Sequence, residues 1–120
     1  MLLAAGVARA APAIDPGAAL FQAHCYACHS IDPAETSLPG PNLFRVLGRK
    51  AASRPAFDYS PALRAAGTAG LVWTAGQVDR MIADPAAFLP GTEMTFPGLD
   101  SAADRAAIIG FLRRSAGPRG

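Results

Sequence analysis

Cys25-Tyr26-Ala27-Cys28-His29 is the stretch on which the reading of this chain turns. Each cysteine can add across one vinyl group of a haem to form a thioether, and two intervening residues in a helical turn space the sulfurs about as far apart as the vinyls. A histidine directly after the second cysteine is carried under the ring centre, where its imidazole reaches the iron. The chain has only two cysteines, and both lie here. Other readings of the pair fail on context. A thioredoxin-like redox pair needs a βαβ setting, and no strand pattern precedes Cys25. A zinc site needs about four ligands, so Cys25, Cys28, His29 and His24 would have to wrap a tetrahedron from one short run. A Cys25–Cys28 disulfide closes too short a loop to add much stability. The motif points to one covalent haem c, attached through Cys25 and Cys28, with His29 as an axial ligand.

The surrounding composition agrees with a small haem-filled domain. At 120 residues there is room for one modest core. Apolar residues make up 51% of the chain, but many are alanines that fill little volume. With 12 glycines and 11 prolines, short helices joined by long loops fit better than a dense bundle. Domains of this size are often stabilised by a metal, disulfides or a cofactor. The formal charge of +2 is too small and too evenly spread for a nucleic-acid partner.

Residues 1–13 differ in character from the rest of the chain: they are small and apolar, with A-x-A patterns at Ala8 to Ala10 and Ala11 to Ala13. They read as the remnant of a secretory signal or a disordered leader, ahead of a domain over 14–120. The basic residue that usually opens such a signal is missing, which is consistent with a start upstream of Met1. The apolar run is far short of the roughly 20 residues of a membrane span.

From Asp15 onward the chain punctuates itself into helices. Asp15-Pro16-Gly17 starts the first, with the carboxylate capping free N–H groups, and its apolar face runs up to Cys28. A proline-marked loop extends from Ser30 to about Ser60. Ser60-Pro61 opens a short helix that Gly67 is expected to end. Thr74 with Gln77 has the form of a capping box, for a helix that stops before Pro85. An extended loop from Pro85 to Leu99 carries Pro90-Gly91 and Met94. The last helix runs from near Asp100 or Ser101 to Arg114, with Ile108, Phe111 and Leu112 on one face. The expectation is all-α.

The sixth iron ligand has few candidates: His24, Met1, Met81 and Met94. Met1 lies in the leader. His24, beside the attachment turn, should point away from the ring and serve as a solvated surface residue. Met81 falls between Val78 and Ile82 on a helical face, where methionine is usually core filler. Met94 sits in a loop that no packing periodicity explains, so a thioether there is free to face the iron.

These residues, with GPNLFRVLGRK at 40–50, FDYSPAL at 57–63, LVW at 71–73, PGTEMTFPGL at 90–99 and RAAIIGFL at 105–112, resemble the class I c-type cytochromes. The likeness is to the branch holding mitochondrial cytochrome c and bacterial cytochrome c2, and it runs from about Gly17 to Leu112. It implies the class I cytochrome c fold, with short helices and long loops wrapped around one covalently bound haem. It also implies that Met94 is the axial methionine and that the Pro41 carbonyl accepts the His29 ring N–H. Arg49, Tyr59 and Trp73 match residues that screen or hydrogen-bond a haem propionate, a partly buried carboxylate that is costly without donors. Gly17 and Phe21 match the face on which the last helix packs, with Ile108 and Phe111 opposite.

The departures from the family pattern are specific. Met81 stands where many members have a tyrosine reaching the axial methionine, and Leu63 where many have an asparagine of the same buried water network; Thr92 of that network remains. Mitochondrial members ring the haem edge with lysines, whereas here Ala86, Ala87 and Glu93 flank the methionine loop. Docking is therefore expected to rely on apolar contact through residues such as Phe88, Leu89 and Phe96. The implied function is a monomeric, exported periplasmic electron carrier and not an enzyme. Its partners would be membrane or periplasmic redox proteins, such as a quinol–cytochrome c reductase, an oxidase or a dehydrogenase. An open sixth site, as in a haem enzyme or gas sensor, and an accessory module of a larger complex are the competing readings.

Overall fold

The computed structural model describes residues 15–117. The expected leader at 1–13 lies outside them. Among the described residues five helices come in order: α1 (Pro16–His24), α2 (Pro61–Thr68), α3 (Ala75–Ala83), α4 (Pro85–Phe88) and α5 (Ala102–Ser115). Among the described residues the only β pairing is an isolated bridge between Lys50 and Val72. No described helix is long and apolar enough to cross a membrane.

Side-chain caps set the helix starts. Asp15, Ser60, Thr74, Asp84 and Ser101 each accept a backbone N–H from the first turn of the helix they precede, and proline enters the first turn of α1, α2 and α4. Four details depart from the sequence expectation. First, α1 ends at His24, and residues 25–28 form a turn. Second, Gly67 lies inside α2, where a Cβ would strike the Ala51 carbonyl; the left-handed glycine after the helix is Gly70, at φ 99°. Third, only half of the capping box forms, since Thr74 Oγ1 accepts from Gln77 N at 3.2 Å while the Gln77 side chain turns to Arg80. Fourth, Pro85 opens a single helical turn, α4, rather than an extended loop.

The core is the junction of α1, α3 and α5, built on Phe21, Val78, Ile108, Ile109 and Leu112, with Val46 from the long loop. The backbones of α1 and α5 touch at Gly17, where a Cβ would overlap the Ala107 carbonyl and stand 2.7 Å from Phe111 Cβ. One turn on, the rings of Phe21 and Phe111 meet at 5.3 Å. At the outer end of this seam Arg114 grips the Asp15 carboxylate, with Nη2 2.7 Å from Oδ2. The side-chain hydrogen bond from Arg114 is the chief reason the Asp15 carboxyl lies below its ordinary range.

Gly17→Ala sets two effects against each other. Alanine gains about 1 kcal/mol of helix propensity over glycine, but overpacking costs about 1–3 kcal/mol, and the obstacle is a backbone carbonyl that cannot rotate away. The variant is expected to be net destabilised, read as a lower denaturant midpoint with an unchanged slope.

Candidate functional site

The turn after α1 folds the motif into one corner. Cys28 N and His29 N both donate to Cys25 O, at 3.1 and 2.9 Å, and Gly40 N donates to Cys28 O at 2.8 Å, which lays the 39–43 segment against the turn. No side chain fits at position 40: a Cβ would stand 2.6 Å from His29 Cε1 and 2.8 Å from Nδ1. Bare backbone therefore cradles the imidazole. His29 Nδ1 lies 2.8 Å from Pro41 O; that bond puts the proton on Nδ1 and leaves the Nε2 lone pair free. Burial holds the imidazole below its ordinary pKa, partly opposed by the Pro41 carbonyl, so the ring is neutral. Gly40 is a site residue that sequence reasoning misses; its one signal is its place in the Gly40-Pro41 pair.

Beside this corner lies a cavity of about 420 Å³, within the range of about 300–1,000 Å³ usual for cofactor sites. Every site residue expected from the sequence borders it: Cys25, Cys28, His29 and Pro41 from the turn and its partner segment, Arg49, Tyr59 and Trp73 from the long loop and its return, and Thr92 and Met94. The Met94 N–H donates to Thr92 Oγ1 at 3.1 Å, so the Thr92 hydroxyl braces the methionine's own backbone. Arg49 donates to the Asn42 carbonyl at 2.6 Å and the Phe44 carbonyl at 3.2 Å, which leaves other N–H groups of its guanidinium available. The Tyr59 hydroxyl accepts from Arg54 N at 3.1 Å and keeps its own proton to donate. Trp73 is held beside Arg49 by backbone pairing, with Trp73 N donating to Arg49 O at 2.9 Å.

The wall also holds residues for which the sequence suggests other places. Met81 is buried as expected of a packing residue, yet it borders the same cavity as Met94, as does Leu63. His24 is exposed but does not point away: it borders the cavity, and its ring meets that of Phe96 at 6.0 Å. Leu89 is buried, so it is not the docking residue expected from sequence; Phe88 is half-buried, with its ring 6.3 Å from that of Trp73. The exposed aromatic is Tyr26, 60% accessible between the two cysteines.

The chemistry of these donors fits haem c. Burial, with a smaller contribution from Cys28, pushes the Cys25 thiol up to about 11, the reverse of the lowered pKa of a redox-active pair. Among the described residues no group of three or more His, Cys, Asp or Glu side chains gathers as a zinc site requires. What remains is a largely apolar cavity with two thiols at its edge, a neutral imidazole and the thioethers of Met81 and Met94 on its wall, and Arg49, Tyr59 and Trp73 around it. That is the provision of a c-type haem protein.

Comparison with known proteins agrees. The family model described as cytochrome c matches residues 14–116. The cytochrome c2 of Rhodomicrobium vannielii is 41% identical over 88 residues, covering 73% of this chain and 68% of that protein. Cytochrome c type-1 of Ascaris suum is 36% identical, covering 82% of this chain and 84% of that one. The solved structure of cytochrome c2 from Rhodospirillum centenum superposes with a TM-score of 0.77 at 34% identity, covering 86% of this chain and 99% of that one. The chain belongs to the cytochrome c family, in its class I branch. It is a monohaem electron carrier, not an enzyme, and its haem c is covalently attached.

Attachment is directly testable. When the chain is matured with a cytochrome c assembly system, haem stain should stay on the polypeptide band of a denaturing gel. Cys25→Ala or Cys28→Ala should weaken it, and His29→Ala should abolish maturation. Complete loss of stain from the wild-type band would contradict thioether attachment.

Proposed function

We propose that this cytochrome is an exported, periplasmic carrier whose iron is held by His29 and Met94, and that it shuttles single electrons between membrane or periplasmic redox proteins. The observation that carries the ligand assignment is the 2.8 Å bond from His29 Nδ1 to Pro41 O. It orients the ring, fixes the tautomer and makes Nε2 a better donor. Met94 is the loop methionine on the same cavity, and its thioether favours the reduced metal. When bound, the haem supplies a one-electron iron couple. The residues around it would exclude water, supply both axial donors and meet the propionates with Arg49, Tyr59 and Trp73. With both axial positions filled by side chains, no site is left for a substrate.

Met94→Ala should open the iron to water and small ligands, lower the potential and introduce peroxidase activity. Met81→Leu should leave the low-spin spectrum and the weak sulfur-to-iron charge-transfer band intact. Because both methionines border the cavity, the pair of variants decides between them. Loss of the band in the Met81 variant alone would reverse the assignment.

The electrostatics of the cavity rim support a particular kind of partner. Its exposed residues are His24, Cys28, Pro39, Lys50, Glu93 and Thr95, so the formal charges of Lys50 and Glu93 cancel. Arg64, Arg105 and Arg114 are paired with Asp58, Asp79 and Asp15. A partner face that is apolar and uncharged, meeting Tyr26 and the His24–Phe96 pair, fits such a rim better than an acidic one. Electrostatic steering raises association rates by about 10- to 1,000-fold and falls steeply with salt. The second-order rate with the host's reductase or oxidase should therefore change less than about threefold as the Debye length shrinks from about 30 to 8 Å. A fall of more than about tenfold would sink the neutral-rim reading.

A further inference from the structure

One side chain bolts down the far end of the Met94 loop. Arg105, in the first turns of α5, donates from Nε to Asp79 Oδ1 at 2.8 Å. Its Nη1 donates to Leu99 O at 2.8 Å and Asp100 O at 2.9 Å. Leu99 N in turn donates to Ile82 O at 2.9 Å. A single guanidinium thus joins α3, α5 and the end of the loop, a task for a planar fork and not for the point charge of a lysine. The Arg105 side chain is 14% exposed, against 59% for Arg64 and 60% for Arg114 in the other described ion pairs. Solvent screens it least. By contrast, the bonds nearest Met94 are local to the loop: Thr92 N to Leu89 O, and Met94 N to Thr92 Oγ1. They tie the near end of the loop to Leu89, the C-cap of α4, and not to α3 or α5.

We propose that Arg105, oriented by Asp79, is a positioning residue for the sixth iron site: it sets how often the Met94 loop swings out, and thereby how fast an outside ligand reaches the iron. The inference rests on Met94 as the sixth ligand. The probe is imidazole, mixed with the ferric, haem-loaded protein and followed by stopped-flow absorbance. Asp79→Asn keeps the two carbonyl bonds but loses the ion pair, and should speed imidazole binding by about threefold or more. Arg105→Lys loses the fork and should speed it by about tenfold or more, because hydrogen bonds to charged groups are the stronger kind. Amide hydrogen exchange over residues 94–99 should quicken in the same order, with that of α1 unchanged. Asp15→Asn, which breaks the pair at the other end of α5, should leave the imidazole rate at the wild-type value. In a Met94→Ala background the Arg105→Lys change should add nothing, since the site is already open. Wild-type rates in both the Asp79 and Arg105 variants, or equal acceleration in Asp15→Asn, would overturn the proposal. If Met94→Ala by itself bound imidazole no faster than wild type, the ligand assignment would fall, and the positioning role with it.

Discussion

The apolar walls of the central cavity face one another across a space they do not fill. Phe21, Val46, Val78, Met81, Ile108 and Leu112 all border it, and several of them are also the core on which α1, α3 and α5 meet. Those walls leave water only by packing against a group that occupies the cavity of about 420 Å³ between them, and each square ångström of apolar surface so buried contributes about 25 cal/mol. The covalent haem is therefore core as much as cofactor. This explains how a chain so rich in alanine, glycine and proline holds a single structure: the largest apolar group in its interior is not encoded by any residue.

That constraint orders the rest of the fold. One helix must deliver both thiols and the imidazole to the same edge of the cavity, and the turn at 25–29 does so within one loop of backbone bonds. The helix must itself be fixed, and Gly17 allows α5 to lie directly against it. The long segments between helices can then be irregular, because their work is to cover the cavity. Their polar groups are tied locally, as where Asn42 Nδ2 donates to the carbonyls of Asp32 and Glu35. Two non-glycine residues of this cover, Arg45 and Ala52, sit in the left-handed region at φ 54° and 56°, which for an L-residue costs roughly 1–2 kcal/mol.

Much of this is legible in the sequence, for a physical reason. The attachment motif, the caps at Asp15, Ser60, Thr74 and Ser101, and the shared face of Ile108, Phe111 and Leu112 are fixed by residues close in the chain or by helical period, whereas the packing of Phe21 against that face is implied only by the family resemblance. The illegible parts lack such a signature. A single turn such as α4 is too short for periodicity to mark. The cradle at Gly40 depends on where the His29 ring arrives, and the Asp79–Arg105 bond joins residues 26 apart. His24 reads from its neighbours as an outward-facing surface residue, because its contact with Phe96 depends on a loop that returns only after α4. Helical period marks Met81 as buried filler, but it cannot show that the space Met81 fills is the cavity wall.

The bond between Asp15 and Arg114 has a topological consequence. It brings the first described helix and the last together at the end of α1 away from the attachment turn. With nine residues in α1, that corner lies about 14 Å up the helix from the cavity edge. A tether, membrane anchor or fused domain joined ahead of α1 or after α5 would start from this one corner and keep the cavity rim clear for a partner. Helix ends this close also make circular permutation feasible. New termini could then be opened in the exposed Thr68–Gly70 stretch, far in sequence from both the attachment turn and the Met94 loop, without cutting the seam that holds α1 against α5.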